Sequence, residues 1–400
     1  MSEPMNDVDE ATKIAQEFKI WKESALQLYE MMIEHTVAWP TLTCQWLPAF
    51  VKSDEYFTQE LLIGTNTNDE EPNQVQILQM DLPLADQNGE SDPARKSRWK
   101  TLKKMGHDGE VNRARYQPSN PSRIATFTRQ GDVLLFDRQK DHSETDCDPL
   151  LRLKGHTKEG YGLEWSPHAA TADHLLSAGF DNIICHWDIG QEGRVDPIAK
   201  YIAHTDCVED ISWNATDPSI FASVADDMKL MIWDTRQPTK PVQSIQAHKA
   251  EVNSVAFNGE QDWMLATGSA DKTIGLFDIR NLGTKLHSFE LHEGEVTQVA
   301  WNPHEPAVLA SAGLDRRINV WDLRHIGEEQ TAEDMEDGPP ELLFMHSGHT
   351  NRISDFSWNP KETWVIASAG EDNIIQLWEM TKDISANTDL TTELPASDLE

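Results

Sequence analysis

The stretch that decides the fold runs from His204 to Asp234 and reads HTDCVEDISWNATDPSIFASVADDMKLMIWD. It carries a histidine, a hydroxyl, an aspartate and a tryptophan at positions 204, 223, 227 and 233. Five histidines precede an aromatic residue by 29 positions and a sixth does so by 31, in the pairs His107/Phe136, His156/Trp187, His204/Trp233, His248/Phe277, His292/Trp321 and His349/Trp378. Successive histidines are 44 to 57 residues apart, within or near the period of four-stranded propeller blades. The sequence therefore predicts a β-propeller.

The recurring histidine, hydroxyl and aspartate also resemble the parts of a catalytic triad. An active site is normally built once, whereas this set returns in repeat after repeat. A hydrogen-bond network that joins the loops of a blade to its third strand must be built in every blade, so the structural interpretation is favoured. The clearest structural tetrads are His204, Ser223, Asp227 and Trp233, and His292, Ser311, Asp315 and Trp321.

The predicted fold is all-β, a seven-bladed WD40 propeller with an N-terminal α-helix. Six blades follow from the six repeats, and a seventh strand set without the signature residues is predicted at Glu60–Thr65, Val75–Leu82 and Trp99–Leu102. The last repeat ends near Met380 with three strands. The alternating stretch Thr41–Leu47 is expected to supply its outer strand and close the ring.

The chain is expected to divide into an N-terminal region (1–40), the propeller (41–380) and a C-terminal tail (381–400). From about Asp9 to His35, apolar residues recur at helical spacing, which predicts a helix that docks on the side of the propeller. This helix could equally be only a lid over a blade.

Composition narrows the class of protein. The chain has 34 Lys plus Arg against 68 Asp plus Glu, a net charge of −34, which repels phosphate backbones and favours basic partners. It has no apolar run of membrane-spanning length, no signal-like N-terminus and four cysteines without zinc-like spacing. We therefore expect a soluble intracellular protein with reduced thiols. Because no phosphate loop, unique nucleophile with its base or metal spacing is present, we expect no enzyme activity, cofactor or metal.

Carboxylates recur near one mouth of the central channel. Side chains three and five positions after each repeat histidine share one strand face, and five blades place a glutamate there: Glu110, Glu159, Glu209, Glu251 and Glu295. Like charges facing each other are unfavourable without a cation. Asp226 and Glu371 add to the same end, and Tyr161 can hydrogen-bond. This pattern favours a site for a basic peptide over a merely solvated rim.

A second acidic feature is an insertion. The step from His292 to His349 exceeds its neighbours by 13 residues, and the excess falls in Ile326–Glu341, IGEEQTAEDMEDGPPE, which lacks Lys and Arg. Composition alone is also typical of a disordered acidic loop. Its place between the sixth and seventh blades, beside the N-terminal helix, predicts a groove for a basic amphipathic helix.

Several strings are more specific than the repeat lattice. They are KIWK (Lys19–Lys22), WPTLTCQWLP (Trp39–Pro48), GEVNRARY (Gly109–Tyr116), KEGYGLEW (Lys158–Trp165), VADDMKLMIWDTR (Val224–Arg236), ATGSADKT (Ala266–Thr273), EDGPPELLF (Glu336–Phe344) and ISDFSWNP (Ile353–Pro360). Over nearly the whole chain they resemble the retinoblastoma-binding WD-repeat histone chaperones. The resemblance implies a subunit shared by chromatin assembly factor, the type B histone acetyltransferase, Polycomb repressive complex and histone deacetylase and remodelling assemblies. It implies a nuclear protein with a cytoplasmic pool that binds histones H3 and H4 and contacts neither nucleic acid nor membrane directly.

The resemblance also implies two sites. In that family a groove beside the N-terminal helix takes the first helix of histone H4, and the matching positions are Leu28 and Met31 on the helix and Asp334, Glu336 and Asp337 in the loop. The channel mouth takes the histone H3 tail or a similar basic peptide, and the matching positions are Glu110, Asn112, Glu159, Tyr161, Glu209, Asp226, Asn253, Glu295 and Glu371. Gln27, Ala38 and Thr297 depart from the family pattern.

An alternative function comes from two strings that resemble the motif read by a cullin adaptor, Trp233-Asp234-Thr235-Arg236 and Trp321-Asp322-Leu323-Arg324. They would suit a substrate receptor of a ubiquitin ligase. Such strings also arise from blade chemistry alone, so this alternative is secondary.

Overall fold

The computed structural model describes residues 7–53, 56–83, 97–191, 193, 195–332 and 334–385. Within these residues, 28 strands form seven four-stranded antiparallel sheets, the blades of a propeller. The predicted seven-bladed fold with an N-terminal helix is confirmed.

The helix α1 (Asp7–Leu28) leads directly into the strand β1 (Tyr29–Thr36). Blade one contains β2 (Cys44–Lys52), β3 (Tyr56–Gly64), β4 (Asn73–Pro83) and β5 (Arg98–His107), and blade two contains β6 (Val111–Gln117), β7 (Asn120–Thr128), β8 (Asp132–Asp137) and β9 (Leu151–Lys154). Blade three contains β10 (Gly162–Trp165), β11 (His174–Ala178), β12 (Ile184–Asp188) and β13 (Ala199–Tyr201), and blade four contains β14 (Val208–Trp213), β15 (Ile220–Ala225), β16 (Lys229–Asp234) and β17 (Gln243–Gln246).

Blade five contains β18 (Val252–Phe257), β19 (Met264–Ser269), β20 (Thr273–Asp278) and β21 (Lys285–Glu290), and blade six contains β22 (Val296–Trp301), β23 (Val308–Gly313), β24 (Ile318–Asp322) and β25 (Leu342–His346). Blade seven contains β26 (Ile353–Trp358), β27 (Val365–Gly370) and β28 (Ile374–Met380), with β1 as its outer strand. Short helices are α2 (Asp334–Asp337), α3 (Lys382–Ser385) and two 3₁₀ turns at Ala169–Thr171 and Leu323–His325.

The ring is closed by the beginning of the chain, but by a different stretch than predicted. β1 pairs antiparallel with β28 along its whole length, whereas Thr41–Leu47 leads into β2, the inner strand of blade one. The helix expected to reach His35 ends at Leu28. The helical interpretation was wrong there because residues 29–36 carry apolar side chains on both faces, which spacing alone cannot assign to helix or strand. The propeller therefore begins at Tyr29 rather than at residue 41, and the three strands predicted for blade one are β3, β4 and β5.

The core consists of clusters between neighbouring blades. The tryptophans Trp46, Trp187, Trp233, Trp321 and Trp378 are among the largest fully buried side chains. Burying such side chains is the main stabilising contribution to each blade interface. The four cysteines are free thiols, as predicted. None of the described helices combines the length and apolar character needed to cross a membrane.

The recurring tetrads form the predicted hydrogen-bond network. In blade four, His204 Nδ1 lies 3.0 Å from Asp227 Oδ1 and His204 Nε2 lies 2.7 Å from Ser223 Oγ. Trp233 Nε1 donates to the same Ser223 oxygen at 2.8 Å. Blade six repeats the network at 2.8 to 2.9 Å with His292, Ser311, Asp315 and Trp321. Each network ties the top loops of a blade to its second and third strands, which is a structural role.

A buried ion cluster holds the closing blades together. Asp355 of β26 is fully buried and accepts the backbone N–H of Cys44 at 2.8 Å. Its carboxylate lies 3.3 Å from Arg113 and 3.1 Å from Arg115, both on β6. Arg115 also donates to Thr43 Oγ1 at 3.0 Å. One carboxylate thus joins blades seven, one and two, because the guanidinium groups of blade two reach across blade one.

Glu164 in β10 makes stability depend on pH. Its carboxyl accepts the backbone N–H of Trp213 in the next blade. Burial raises the pKa of Glu164 from 4.5 to about 8, although the Trp213 bond opposes the shift. The folded protein therefore keeps a proton that the unfolded chain releases, so the stability contributed by this carboxyl is present at acidic pH and is lost as pH rises towards about 8.

We expect Glu164→Gln to be more stable than the native protein at about pH 8.5 and to flatten the fall in stability from about pH 5.5 upward. The amide oxygen keeps the Trp213 bond but cannot ionise. Thermal unfolding across this pH range measures the effect. The exposed Glu290→Gln serves as the matched control and should leave the fall unchanged; an unchanged fall in Glu164→Gln would contradict this account.

Candidate functional site

The predicted channel-mouth residues of blades two to four lie close together. Asn112 Nδ2 donates to Glu159 Oε2 at 3.1 Å across the blade boundary. Asn112 Oδ1 is buried and has no hydrogen-bond partner among the described residues. Tyr161 lies near Glu159, Glu110 and Glu209, and burial together with these charges raises the pKa of Tyr161 to about 12. The phenol thus stays protonated as a donor, and the amide oxygen of Asn112 can accept an N–H group.

Glu209 and Asp226 form the most strained part of this charge cluster. Their side chains share a hydrogen bond. Burial raises the pKa of Glu209 to about 8, and repulsion from Asp226 and Asp210 adds to the shift. Burial also raises the pKa of Asp226, with repulsion from Asp206 and Glu251. The pair therefore holds a proton near neutral pH, in a place where an ammonium or guanidinium group would remove the repulsion.

The remaining predicted residues occupy other parts of the mouth. Asn253 Nδ2 donates to the backbone oxygen of Val296 at 2.9 Å. Glu295 and Glu371 are exposed, and the part of the chain that the structure describes shows no direct contact between either of them and Glu209. We call the whole set the channel-mouth site: Glu110, Asn112, Glu159, Tyr161, Glu209, Asp226, Asn253, Glu295 and Glu371.

Two further residues at the mouth were missed from the sequence. The ring of Phe180 lies 5.7 Å from that of Tyr161. Asp206, two positions after a repeat histidine, falls between the positions that strand alternation selects. Its carboxylate, the Cys207 sulfur and the Asp226 carboxylate lie within 4.8 Å of one another. Burial raises the pKa of Cys207 to about 11, and the nearby carboxylates add to it, so the thiol stays protonated and is a poor metal ligand. Asp206 therefore adds negative charge to the mouth.

The second predicted site depends on how α1 is held. Ala25 and Tyr29 belong to the buried cluster of blades six and seven, and the ring of Tyr29 meets Phe344 edge to face at 5.2 Å. The Tyr29 hydroxyl accepts a hydrogen bond from Trp21 Nε1 at 3.1 Å and lies 2.8 Å from His346 Nδ1. Burial holds the pKa of His346 well below its usual value, so the ring stays neutral. The C-terminal end of α1 is thus fixed against blade six.

Leu28 and Met31 do not share one surface. Leu28 ends α1 with 39% of its area exposed. Met31, predicted on the helix, lies in β1 and packs against the cluster of blades one and seven that contains Trp46. Met32 packs instead on the blade-six side with Tyr29. A strand alternates its side chains between faces, so Met31 lies on the opposite face of β1 from Met32. This corrects the predicted helical position of Met31.

The acidic loop Ile326–Glu341 connects β24 to β25 within blade six. It was predicted between blades six and seven because a WD40 sequence repeat ends with the third strand, and the outer strand of a blade is counted with the next repeat. Glu341 is buried and lies 2.8 Å from His287 Nε2, so it anchors the loop. Glu336 and Asp337 in α2 are exposed. The side chain of Asp334 lies outside the described residues.

The loop and the helix end beside each other. Phe344, seven residues after Asp337, packs on Tyr29, which directly follows Leu28. Exposed carboxylates and an exposed leucine therefore lie at the same end of α1. We call the set Leu28, Met31, Asp334, Glu336 and Asp337 the side groove. It combines an apolar side chain with negative charge, the pairing needed to hold a basic amphipathic helix.

The Trp-Asp-x-Arg strings have a local explanation. Arg236 Nη2 lies 2.7 Å from Asp234, and Arg324 Nε lies 2.8 Å from Asp322. Each arginine is thus tied to the aspartate two residues earlier at the end of a third strand. Blade chemistry alone accounts for the resemblance to a cullin-adaptor motif.

Fold and sites together define a WD-repeat propeller with two acidic surfaces. A family model described as "WD domain, G-beta repeat" matches residues 147–188, 195–234, 239–278, 283–322 and 340–379, together half of the chain. A second family model, described as that of the histone-binding protein RBBP4, a component of the CAF1 complex, matches residues 16–84, which include most of α1, all of β1 and part of blade one. The chain belongs to the RBBP4-like family of WD-repeat histone-binding proteins.

Proposed function

We propose that this chain is a non-catalytic histone-binding subunit that takes the first helix of histone H4 in the side groove and the histone H3 tail at the channel-mouth site. The observation that carries the proposal is the pairing of α1 with the exposed carboxylates of α2. The family model for histone-binding proteins matches residues 16–84, which contain the helical half of that pairing.

The side groove suits an amphipathic basic helix. Leu28 offers apolar surface at the end of α1, and Glu336 and Asp337 are exposed and carry no ion pair with a described residue. Arginines on one face of a histone helix would bind these carboxylates, while its apolar face would lie on α1.

The channel-mouth site suits an extended basic peptide. Glu110 is partly engaged by Arg129 at 3.6 Å, whereas Glu209 and Asp226 repel each other and share a proton. A lysine or arginine side chain would replace that proton. The unpartnered Asn112 Oδ1 and the Tyr161 hydroxyl would bind the backbone of the peptide.

The shared proton gives this proposal a test. Peptide binding should release the proton, so the affinity for a histone H3 tail peptide should rise about tenfold between about pH 6 and pH 8.5 for each unit by which the pKa of Glu209 falls. Calorimetry in buffers of different ionisation enthalpy should report proton release. Glu209→Gln should remove most of the pH dependence, and Glu295→Gln, the control, should weaken binding without changing it. Affinity independent of pH in the native protein would contradict the proposal.

We further propose that the chain serves nuclear complexes through this histone binding. The complexes are chromatin assembly factor, the type B histone acetyltransferase, Polycomb repressive complex and histone deacetylase and remodelling assemblies, with a cytoplasmic pool outside them. Affinity purification from nuclei should recover histones together with the larger subunits of at least one such complex. Recovery of a cullin adaptor without histones would contradict the proposal.

A further inference from the structure

A pocket of about 290 Å³ lies at the other end of α1 from the side groove. Its helical wall carries Ile14, Phe18 and Trp21, and its propeller wall includes the turn Asp315–Arg317 of blade six together with Ser347. Since a helix rises about 1.5 Å per residue, Ile14 lies roughly 20 Å along the axis from Leu28. The pocket is therefore separate from the proposed histone H4 surface.

The charges around this pocket are unequally satisfied. Glu17 is bound by Arg316 at 2.8 Å and approached by Lys13 at 3.7 Å. Asp315 is bound by His292 Nδ1 at 2.8 Å as part of the tetrad of blade six. Arg317 donates to the Met345 sulfur at 3.6 Å, which is a weak acceptor. No described carboxylate side chain forms an ion pair with Arg317.

This pairing is unusual in a chain with twice as many acidic as basic residues. The pocket joins one guanidinium without a described carboxylate partner to a wall of Ile14, Phe18 and Trp21. Such a pocket fits an apolar side chain that stands next to a carboxylate. A basic peptide, in contrast, would meet the arginine with like charge.

The chain itself carries a segment of that chemistry. Residues 386–400 read ANTDLTTELPASDLE and contain no Lys or Arg. Each of the three leucines in this segment directly follows an acidic residue, in the pairs Asp389-Leu390, Glu393-Leu394 and Asp398-Leu399. These residues lie outside the described part of the structure.

The segment starts close enough to reach the pocket. It follows α3, and the preceding Thr381 donates its backbone N–H to the Leu28 oxygen at 3.1 Å. Ile384 packs on the same cluster as Trp21. Fifteen extended residues span up to roughly 50 Å, more than twice the distance along α1.

We propose that the acidic segment 386–400 docks in this pocket, with a leucine against Phe18 and Trp21 and the preceding carboxylate on Arg317. The docked segment would hold the first half of α1 against blades six and seven. The proposal requires no histone and is independent of the proposed function.

Hydrogen exchange of the full chain tests this docking. In the native protein we expect the amides of 386–400 to exchange roughly tenfold more slowly than in the free peptide of the same sequence. Arg317→Gln, and separately the triple change Leu390→Ala, Leu394→Ala and Leu399→Ala, should remove that protection and speed exchange in residues 11–22. Arg129→Gln and the pair Thr391→Ala with Thr392→Ala are the matched controls and should change neither.

A charge exchange separates docking from a general loss of stability. Arg317→Glu should release the segment, and adding Asp389→Lys, Glu393→Lys and Asp398→Lys should restore its protection. Exchange of 386–400 at the free-peptide rate in the native protein would overturn the proposal. Protection that appears only at high protein concentration would overturn it as well, because the segment would then dock in a second copy.

Discussion

Reversing two charges in the acidic loop, Glu336→Lys with Asp337→Lys, is expected to abolish binding of a peptide that forms the first helix of histone H4. Each carboxylate is exposed at the end of the groove where Leu28 ends α1. A hydrogen bond to a charged group contributes about 1.5–3 kcal/mol, so losing two and adding repulsion should weaken binding at least about a hundredfold. Isothermal titration calorimetry measures the loss.

The same loop supplies a control for total charge. Glu328→Lys with Glu329→Lys makes the same change in net charge farther from α2, and both residues are exposed. We expect this variant to weaken the histone H4 peptide only a few-fold. Both variants should unfold at the native temperature, because exposed loop charges contribute little to folding. Equal losses in the two variants would show that general charge, not the side groove, binds the peptide.

The largest effect on stability is expected from Asp355→Ala. This carboxylate is fully buried between Arg113 and Arg115, and its loss leaves two partly buried guanidinium groups without their partner. Removing one side of a buried ion pair typically costs about 3–5 kcal/mol. The backbone N–H of Cys44 loses its acceptor as well. We expect the ring to open between blades seven and one at a much lower denaturant concentration than in the native protein.

Urea unfolding measures this change. The matched control is Asp173→Ala, which breaks a pair with Arg123 at 3.0 Å in which both side chains are about 40% exposed. An exposed pair contributes about 0–1 kcal/mol, so the control should shift the midpoint little. If Asp355→Ala costs no more than this control, the buried cluster does not hold the ring closed.

The repeat lattice allowed most of the fold to be predicted. Spacings such as His204 to Trp233 are fixed because each blade must rebuild the same hydrogen-bond network. The closing strand was harder to locate. Residues 29–36 have no signature residue, and Met31 and Met32 fit either a helix or a strand buried on both faces.

The sites were predictable in position but not in energetics. Register brought Glu110, Glu159 and Glu209 to one mouth because a strand alternates its side chains. Spacing could not show that Glu209 shares a proton with Asp226, since that depends on burial and on a second strand pair. Nor could composition separate Glu341, which anchors the acidic loop through His287, from Glu336, which is exposed.

The central claim is that one chain binds two histone segments at separate surfaces. Calorimetric titration of a histone H4 first-helix peptide into the protein, alone and after saturation with a histone H3 tail peptide, tests it most directly. We predict one site per chain and the same affinity in both titrations, because the side groove lies on the outer edge of blade six and the other site lies at the channel mouth. Competition between the two peptides, or no binding of the histone H4 peptide, would contradict the claim.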